Sequence, residues 1–389
     1  MHVGQFVFAQ LLEFLPRWHF RECVARHNGE RRIRDFSCLD QFLVMAFAQI
    51  TFRESLRDIE TCLRAQAGKL YHVGLRSTVA RSTLADANEN RAWQIWADLA
   101  QVLIAEARQL YADDGFGLRL KNSVYAFDTT TIDLCLTLFP WCQFRRKKSA
   151  VKLHTLLDLR GHIPCFVAIT SGATHEMTQL DAVPLEAGSY YLMDRGFVDY
   201  GRLYRFTQEQ AFFVLRAKTN LDCRVVESSP VDKSTGLRAD QSIRLRGALT
   251  RKRYPDLLRR VSFWDAESDR RYVFLSNQFT LAPSTICRLY KCRWQVELFF
   301  KWIKGYLRIK AFFGHSPNAV KTQVWIALCV YLLVAILRKR LNVAMTMGEM
   351  MQVLSVTLFE KTPLLQAFSR EEHKFVQAQN HKPLPLLEI

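Results

Sequence analysis

The chain predicts an α/β fold, a mixed β-sheet covered by helices and preceded by a helical segment of roughly 110 residues. Three observations carry this. From Phe6 to about Tyr111, apolar residues recur three and four apart, as over residues 39–47 and 93–105, with no strand of note. After Asp113-Asp114-Gly115 the pattern changes, and residues 124–134, 150–157 and 163–170 read as three consecutive strands joined by polar turns. Beyond them strands and helices alternate, as in a sheet with helices packed on it.

The first strands are marked by apolar runs, and Asp158-Leu159-Arg160-Gly161-His162 is the clearest turn between them. A polar stretch with His175, Glu176 and Asp181 leads to a strand over 190–193, a helix over 199–210 and a strand over 211–215. Residues 218–280 break the alternation with short β-like pieces at 223–226, 242–245, 260–264 and 271–275, and read as a β-rich insertion. A long helical region follows over 283–307, and helices continue toward the tail, where Pro383 and Pro385 stop them. The expected organisation is a helical N-terminal domain (1–112), a core in two parts (113–217 and 281–345), the insertion (218–280) and a helical C-terminal tail (346–389). No internal repeat or low-complexity tract interrupts it.

With 389 residues, 49% of them hydrophobic, the chain can bury a substantial core, which excludes a disordered protein. Lys and Arg total 54 against 37 Asp and Glu, a net charge of +17 that suits a polyanion partner; the same charge also serves solubility and alone names no function. The ten cysteines contain no CxxC pair. No histidine sits at ligand spacing beside Cys287 and Cys292 or beside Cys135 and Cys142, so buried reduced thiols are expected rather than a zinc site. With no signal peptide expected at the start, these features predict a cytoplasmic protein. The longest apolar run, residues 324–337, has 14 residues. Crossing a bilayer takes about 20, so a buried helix and no membrane span are expected.

Three carboxylates attract notice. Asp128 ends the apolar run Val124-Tyr125-Ala126-Phe127 and precedes three threonines; Asp194 ends Tyr190-Tyr191-Leu192-Met193 and precedes Arg195-Gly196-Phe197. Carboxylates leaving the ends of neighbouring strands can share a metal, whereas an Asp beside Gly or Thr is ordinarily a turn residue. Asp133 competes with Asp128; Asp158 and Asp181 lie in polar turns. The strongest signal is Tyr290-Lys291-Cys292-Arg293-Trp294-Gln295-Val296-Glu297, continuing through Lys301 to Lys304. On a helix Tyr290, Arg293, Glu297 and Lys304 fall at about 0°, 300°, 340° and 320°, a stripe about 60° wide. On a solvated face such Arg and Glu pairs are worth about a few tenths of a kcal/mol. Trp294, Val296, Phe299, Phe300 and Ile303 cover much of the remaining circumference, so the helix reads as mostly enclosed, and enclosed charges need partners such as metal and phosphate.

At these residues the chain resembles the DDE transposases of bacterial insertion sequences, specifically insertion-sequence family 4, over about residues 124–307. Its Tyr-x2-Arg-x3-Glu-x6-Lys signature is met in full at Tyr290, Arg293, Glu297 and Lys304, and the family's two aspartates correspond to Asp128 and Asp194, 66 and then 103 positions apart from the next carboxylate. A β-strand insertion before the glutamate, as read at 218–280, is similar to the family's.

The resemblance implies an RNase H-like core in which Asp128, Asp194 and Glu297 hold two Mg²⁺ ions, for which Mn²⁺ can substitute, for in-line phosphoryl transfer. It implies double-stranded DNA as partner, both transposon ends and target, a homodimer in the DNA complex, and association with the nucleoid when DNA-bound. Tyr290, Arg293 and Lys304 would grip the DNA, with Lys301 and Arg195 beside them. Trp264 in the insertion is the candidate for stacking a flipped base, the alternative being a tryptophan packed in the insertion's core. Arg145-Arg146-Lys147-Lys148, Arg251-Lys252-Arg253 and Arg259-Arg260 are candidate phosphate contacts or solvated loops. The rival functions are a transposase-derived DNA-binding protein without catalysis and a nuclease on the same core.

Overall fold

The computed structural model describes residues 4–369 other than 32, 34, 146, 147, 308, 310 and 311. The N-terminal segment folds into α1 (Val7–Leu11), α2 (Arg17–Arg26), α3 (Cys38–Ile50), α4 (Leu56–Ala65), α5 (Ala67–Leu70), α6 (Arg81–Asn90) and α7 (Gln94–Leu110). Helix α3 starts at a capping box, in which Ser37 Oγ accepts from the Asp40 N–H and Asp40 accepts in return from the Ser37 N–H. From Gln41 to Ile50 every residue of α3 is buried, which makes it a core helix.

The strands are β1 (Val124–Leu134), β2 (Gln143–Arg145), β3 (Lys148–Asp158), β4 (Ile163–Ser171), β5 (Tyr190–Met193), β6 (Phe212–Arg216), β7 (Cys223–Ser229), β8 (Leu237–Leu245), β9 (Leu258–Asp265) and β10 (Arg270–Ser276). Among the described residues they form one ten-stranded sheet, in the order β2-β3-β1-β5-β6-β10-β9-β8-β7 with β4 also pairing β3. Strands β4, β3 and β1 are antiparallel, and β1, β5 and β6 are parallel. Three antiparallel strands followed by two parallel ones that are linked by helices make up the RNase H-like arrangement. The strands of 218–280 lengthen this sheet, because β10 pairs antiparallel with β6 and β9, β8 and β7 follow.

Helix α8 (Tyr200–Gln208) lies between β5 and β6, and α9 (Ala248–Arg253) between β8 and β9. They cover one face of the sheet with a core that includes Phe127, Tyr191, Phe206, Phe213 and Tyr254. The opposite face carries α10 (Pro283–Cys292), α11 (Trp294–Tyr306) and α12 (Pro317–Arg340), followed by α13 (Met347–Thr357) and α14 (Leu364–Ala367). Ala126, Leu153, Leu192 and Val214 of that face share one hydrophobic cluster with α10 to α12 and with the N-terminal helices. Helix α12 packs against α3, α6 and α7.

With 24 residues and an 18-residue window of mean hydropathy 2.0, α12 is long and apolar enough to cross a membrane, but 94% of that window is buried inside the protein. The sequence shows only the shorter apolar run, and packing supplies the rest of the helix. The long helix expected over 283–307 divides at Arg293, where the Arg293 N–H reaches Tyr290 O and the Val296 N–H reaches Arg293 O. These bonds to the third preceding residue tighten the chain there. The cysteines are free, and Cys23, Cys38, Cys142, Cys287 and Cys329 are buried.

The β3–β4 turn is a point of close packing. Gly161 has φ +69°, and a Cβ there would fall 2.2 Å from the Tyr111 ring. Gly161→Ala is therefore expected to destabilise the protein by more than about 1 kcal/mol, measured by urea unfolding; a loss within a few tenths would contradict this packing.

Candidate active site

Strand register sets the first two carboxylates. Val124, Tyr125 and Ala126 pair in parallel with Tyr190, Tyr191 and Leu192. Asp128 and Asp194 each lie two residues past the last of these pairs, Ala126 with Leu192, and Asp194 is near enough to Asp128 to act on the charge of its carboxyl. Phe127 and Phe197, one on each segment, meet edge to face at 5.1 Å on the other side of the sheet and hold the segments together. Past Ala126, β1 outruns its partner, and the Thr129 N–H donates to Asp128 Oδ1 at 2.8 Å. Asp194 caps a short turn in which its Oδ1 accepts the Gly196 N–H. Gly196 is not needed there for a left-handed turn. A Cβ would lie 2.8 Å from Asp194 Oδ1, so space beside the carboxylate is what requires glycine.

The third carboxylate comes from α11, which lies over β1. Arg293 Nη1 donates to Asp128 Oδ2 at 2.9 Å and Nη2 to Glu297 Oε1 at 2.5 Å, so one guanidinium bridges two strand-to-helix carboxylates. Tyr290 packs its ring against Phe274 at 4.8 Å, and the Arg293 guanidinium carbon lies 5.8 Å from the Tyr290 ring centre. Lys304 Nζ donates to Thr131 O at 2.8 Å on the open edge of β1. The stripe inferred from helical spacing thus faces the sheet. Its surroundings are less enclosed than expected: Val296, Phe299, Phe300 and Ile303 are buried, but Trp294 and Leu298 are 56% and 51% exposed.

Pleat alternation separates the competing aspartates. Asp128 shares the face of Ala126 and Ile132, toward α11, whereas Asp133 is exposed on the other face. Asp158 is buried against Arg160 and Arg108, and Asp181 pairs with Arg202. His175 accepts the Met177 N–H, and Glu176 pairs with Lys152.

The DDE transposase domain family matches residues 119–333, more than half of the chain. The chain belongs to the DDE transposases. A domain of unknown function matches residues 3–76. The transposase is 29% identical over 283 residues to a putative transposase of Sinorhizobium fredii, covering 72% of this chain and 77% of the relative. It is 28% identical over 233 residues to a probable transposase for an insertion sequence element of Geobacillus stearothermophilus, covering 59% and 61%. A putative insertion-sequence transposase of Synechocystis is 24% identical over 336 residues, covering 84% and 90%. The piggyBac transposase synaptic complex with hairpin DNA matches 94% of this chain and 80% of its own with 10% identity and a TM-score of 0.45. With its complete Tyr-Arg-Glu-Lys signature, the transposase is of the insertion-sequence family 4 type, an endonuclease and strand transferase of DNA.

DDE transposases use divalent metal ions, and the residues present can be tested for fit. The donors here are carboxylate oxygens, the set preferred by hard cations. Two buried polar atoms beside Asp128 have no hydrogen-bond partner among the described residues: Arg293 Nε and Thr155 Oγ1, the latter directly opposite Asp128 on β3. Among the described residues no three acidic, histidine or cysteine side chains converge on one point, and the Arg293 guanidinium stands between Asp128 and Glu297. The donor chemistry therefore fits a divalent ion, provided that Arg293 yields its place. Thr155 carried no signal in the sequence, since its position depends on cross-strand register.

Other candidates are sorted by the fold. Arg195 and Lys301 are exposed near the carboxylates in sequence. Trp264 is not brought to the site: on β9 it points away from the face on which its neighbours Phe263 and Asp265 meet Lys291 of α10. Arg259 is buried, held by both oxygens of Asp240 and by the Gln278 and Leu281 carbonyls, and Arg260 binds Gln241. Arg259, buried and paired with Asp240, is not free to meet phosphate, which corrects the expectation for that residue, while Arg260 is half-buried. Arg251, Lys252 and Arg253 are exposed in the last turn of α9, and Arg146 and Lys147 lie outside the described residues.

Burial pushes the Asp128 carboxyl up to about 6; the Thr129 N–H and Arg293 pull it down, and Asp194 and Glu297 add to the rise. Burial also opposes the charge of Arg293, but Glu297 and Asp128 outweigh it and hold the guanidinium above its usual value. A carboxyl raised on folding favours the native state while protonated, and that advantage is lost as pH rises from about 4 to about 6. Over this window the transposase should lose about 2 to 3 kcal/mol relative to Asp128→Asn, measured as the pH dependence of the difference in unfolding free energy. A pH-independent difference would contradict the assignment.

Proposed function

We propose that Asp128, Asp194 and Glu297 are the catalytic carboxylates of a cut-and-paste reaction on the terminal inverted repeats of an insertion sequence. The observation that supports this reading is the meeting of Asp128 and Glu297 at Arg293, with Asp194 near enough to act on the charge of Asp128. In this reading the three carboxylates hold two Mg²⁺ ions, replaceable by Mn²⁺. Bound ions of this kind polarise a phosphoryl oxygen and activate water or a 3′-hydroxyl for in-line attack. Tyr290, Arg293 and Lys304, with the exposed Lys301 and Arg195, hold the phosphates on either side of the scissile bond.

The helical segment 1–112 takes the repeat ends in this scheme. Supporting that role, Arg17 and Arg21 lie exposed on α2 beside Trp18, itself 65% exposed, a basic and aromatic surface suited to DNA. Two copies of the chain hold two ends together, and the reaction takes place in the cytoplasm at the nucleoid.

Purified protein with Mg²⁺ and DNA carrying its own element's ends is expected to cleave there and to join the 3′ ends to a second duplex. Cleavage without joining would indicate a nuclease, and binding alone an inactive relative. Asp128→Asn, Asp194→Asn and Glu297→Gln should each lower cleavage by at least about a thousandfold, the scale on which loss of a central catalytic group acts, while end binding in a gel-shift assay survives. Full cleavage by any one of them would remove that residue from the set.

A further inference from the structure

Arg293 holds one oxygen of each of two carboxylates proposed above as metal ligands. Its Nη1 takes Asp128 Oδ2 and its Nη2 takes Glu297 Oε1, while the side chain is only 14% exposed. Its backbone sits at the junction of α10 and α11, so the guanidinium lies between the strand carboxylate and the helix carboxylate. Carboxylates gathered in a partly buried site repel one another and are costly without a cation among them. Arg293 supplies that cation.

We propose that Arg293 is the internal counter-cation of the carboxylate site, and that a divalent ion displaces it and frees its guanidinium for a DNA phosphate. This rests on the reading of Asp128 and Glu297 as metal ligands. The physical basis is competition followed by transfer. A planar guanidinium binds carboxylates or a phosphate with the same fork of donors, and cannot serve both fully. While it bridges Asp128 and Glu297, both the ion and the DNA meet an occupied partner. Once an ion takes the two carboxylates, the positive fork is left beside cations in a half-buried site and is best neutralised by phosphate. Nε, buried and without a partner among the described residues, adds a further donor to the freed group. Metal and DNA binding are therefore coupled through one side chain, and linkage requires each to strengthen the other by the same factor.

The test uses the full chain and needs no turnover. Mn²⁺ affinity without DNA, read from the free-ion electron paramagnetic resonance signal, should rise at least about fivefold in Arg293→Gln, within the usual range of coupling. Arg293→Lys, which keeps the charge but loses the fork, should give a smaller rise. Affinity for a terminal-repeat duplex, read by fluorescence anisotropy, should increase at least about fivefold with Ca²⁺ in the parent protein, and this increase should vanish in Arg293→Gln. Asp128→Asn should lose Mn²⁺ binding. Unchanged Mn²⁺ affinity in both Arg293 variants, with binding still lost in Asp128→Asn, would overturn the counter-cation role and leave the metal site standing. Mn²⁺ binding undiminished in Asp128→Asn, or none by the parent protein, would overturn the metal reading itself.

Discussion

The parallel pairing of β1 with β5 is the constraint to which the rest of the site answers. Registering Val124 against Tyr190 brings the two strand ends that carry Asp128 and Asp194 side by side, and the Phe127–Phe197 contact on the far face holds them there. A shift of one residue would turn Asp128 to the face of α8, where Asp133 lies, and away from Arg293 and Glu297. The helices over the near face owe their position to the same sheet. The α10–α11 pair spans β1, β5 and β6, so the tightened turn at Arg293 falls above the two strand ends.

Charge at the site follows from that placement. Asp128 is withdrawn from water by the sheet and by α11, and burial raises its carboxyl more than Arg293 and the Thr129 N–H lower it. Arg293 is in turn enclosed by Tyr290, Asp128 and Glu297, which keep it charged despite its burial. Cation and carboxylates are each expensive alone and stable together. In the proposed reading, the interaction that stabilises this cluster is also the one that ion binding would break.

The N-terminal helices are joined to the core more closely than their separate sequence pattern suggests. One hydrophobic cluster runs from Phe8 and Phe42 through Trp96 to Val330 and Leu333. Helix α12 lies within it and packs against α3, α6 and α7. DNA held by the N-terminal segment and DNA held at the carboxylates would be fixed relative to each other by this packing rather than by a flexible linker.

Much of the molecule was legible from local pattern. Alternation and apolar runs located β1, β3, β4 and β5 nearly to the residue, and helical spacing set Tyr290, Arg293, Glu297 and Lys304 on one stripe, because both periodicities are properties of the backbone. The change of pattern at 218–280 was also visible, but that its strands extend the main sheet was not, since the pairing of β10 with β6 joins residues about sixty positions apart. Only tertiary structure separated Asp128 from Asp133, buried Arg259 against Asp240, turned Trp264 away from the site and put Thr155 beside it. Each of these depends on which strand lies next to which and in what register. Local spacing determined the elements and the motif on its helix, and non-local pairing decided which charges meet.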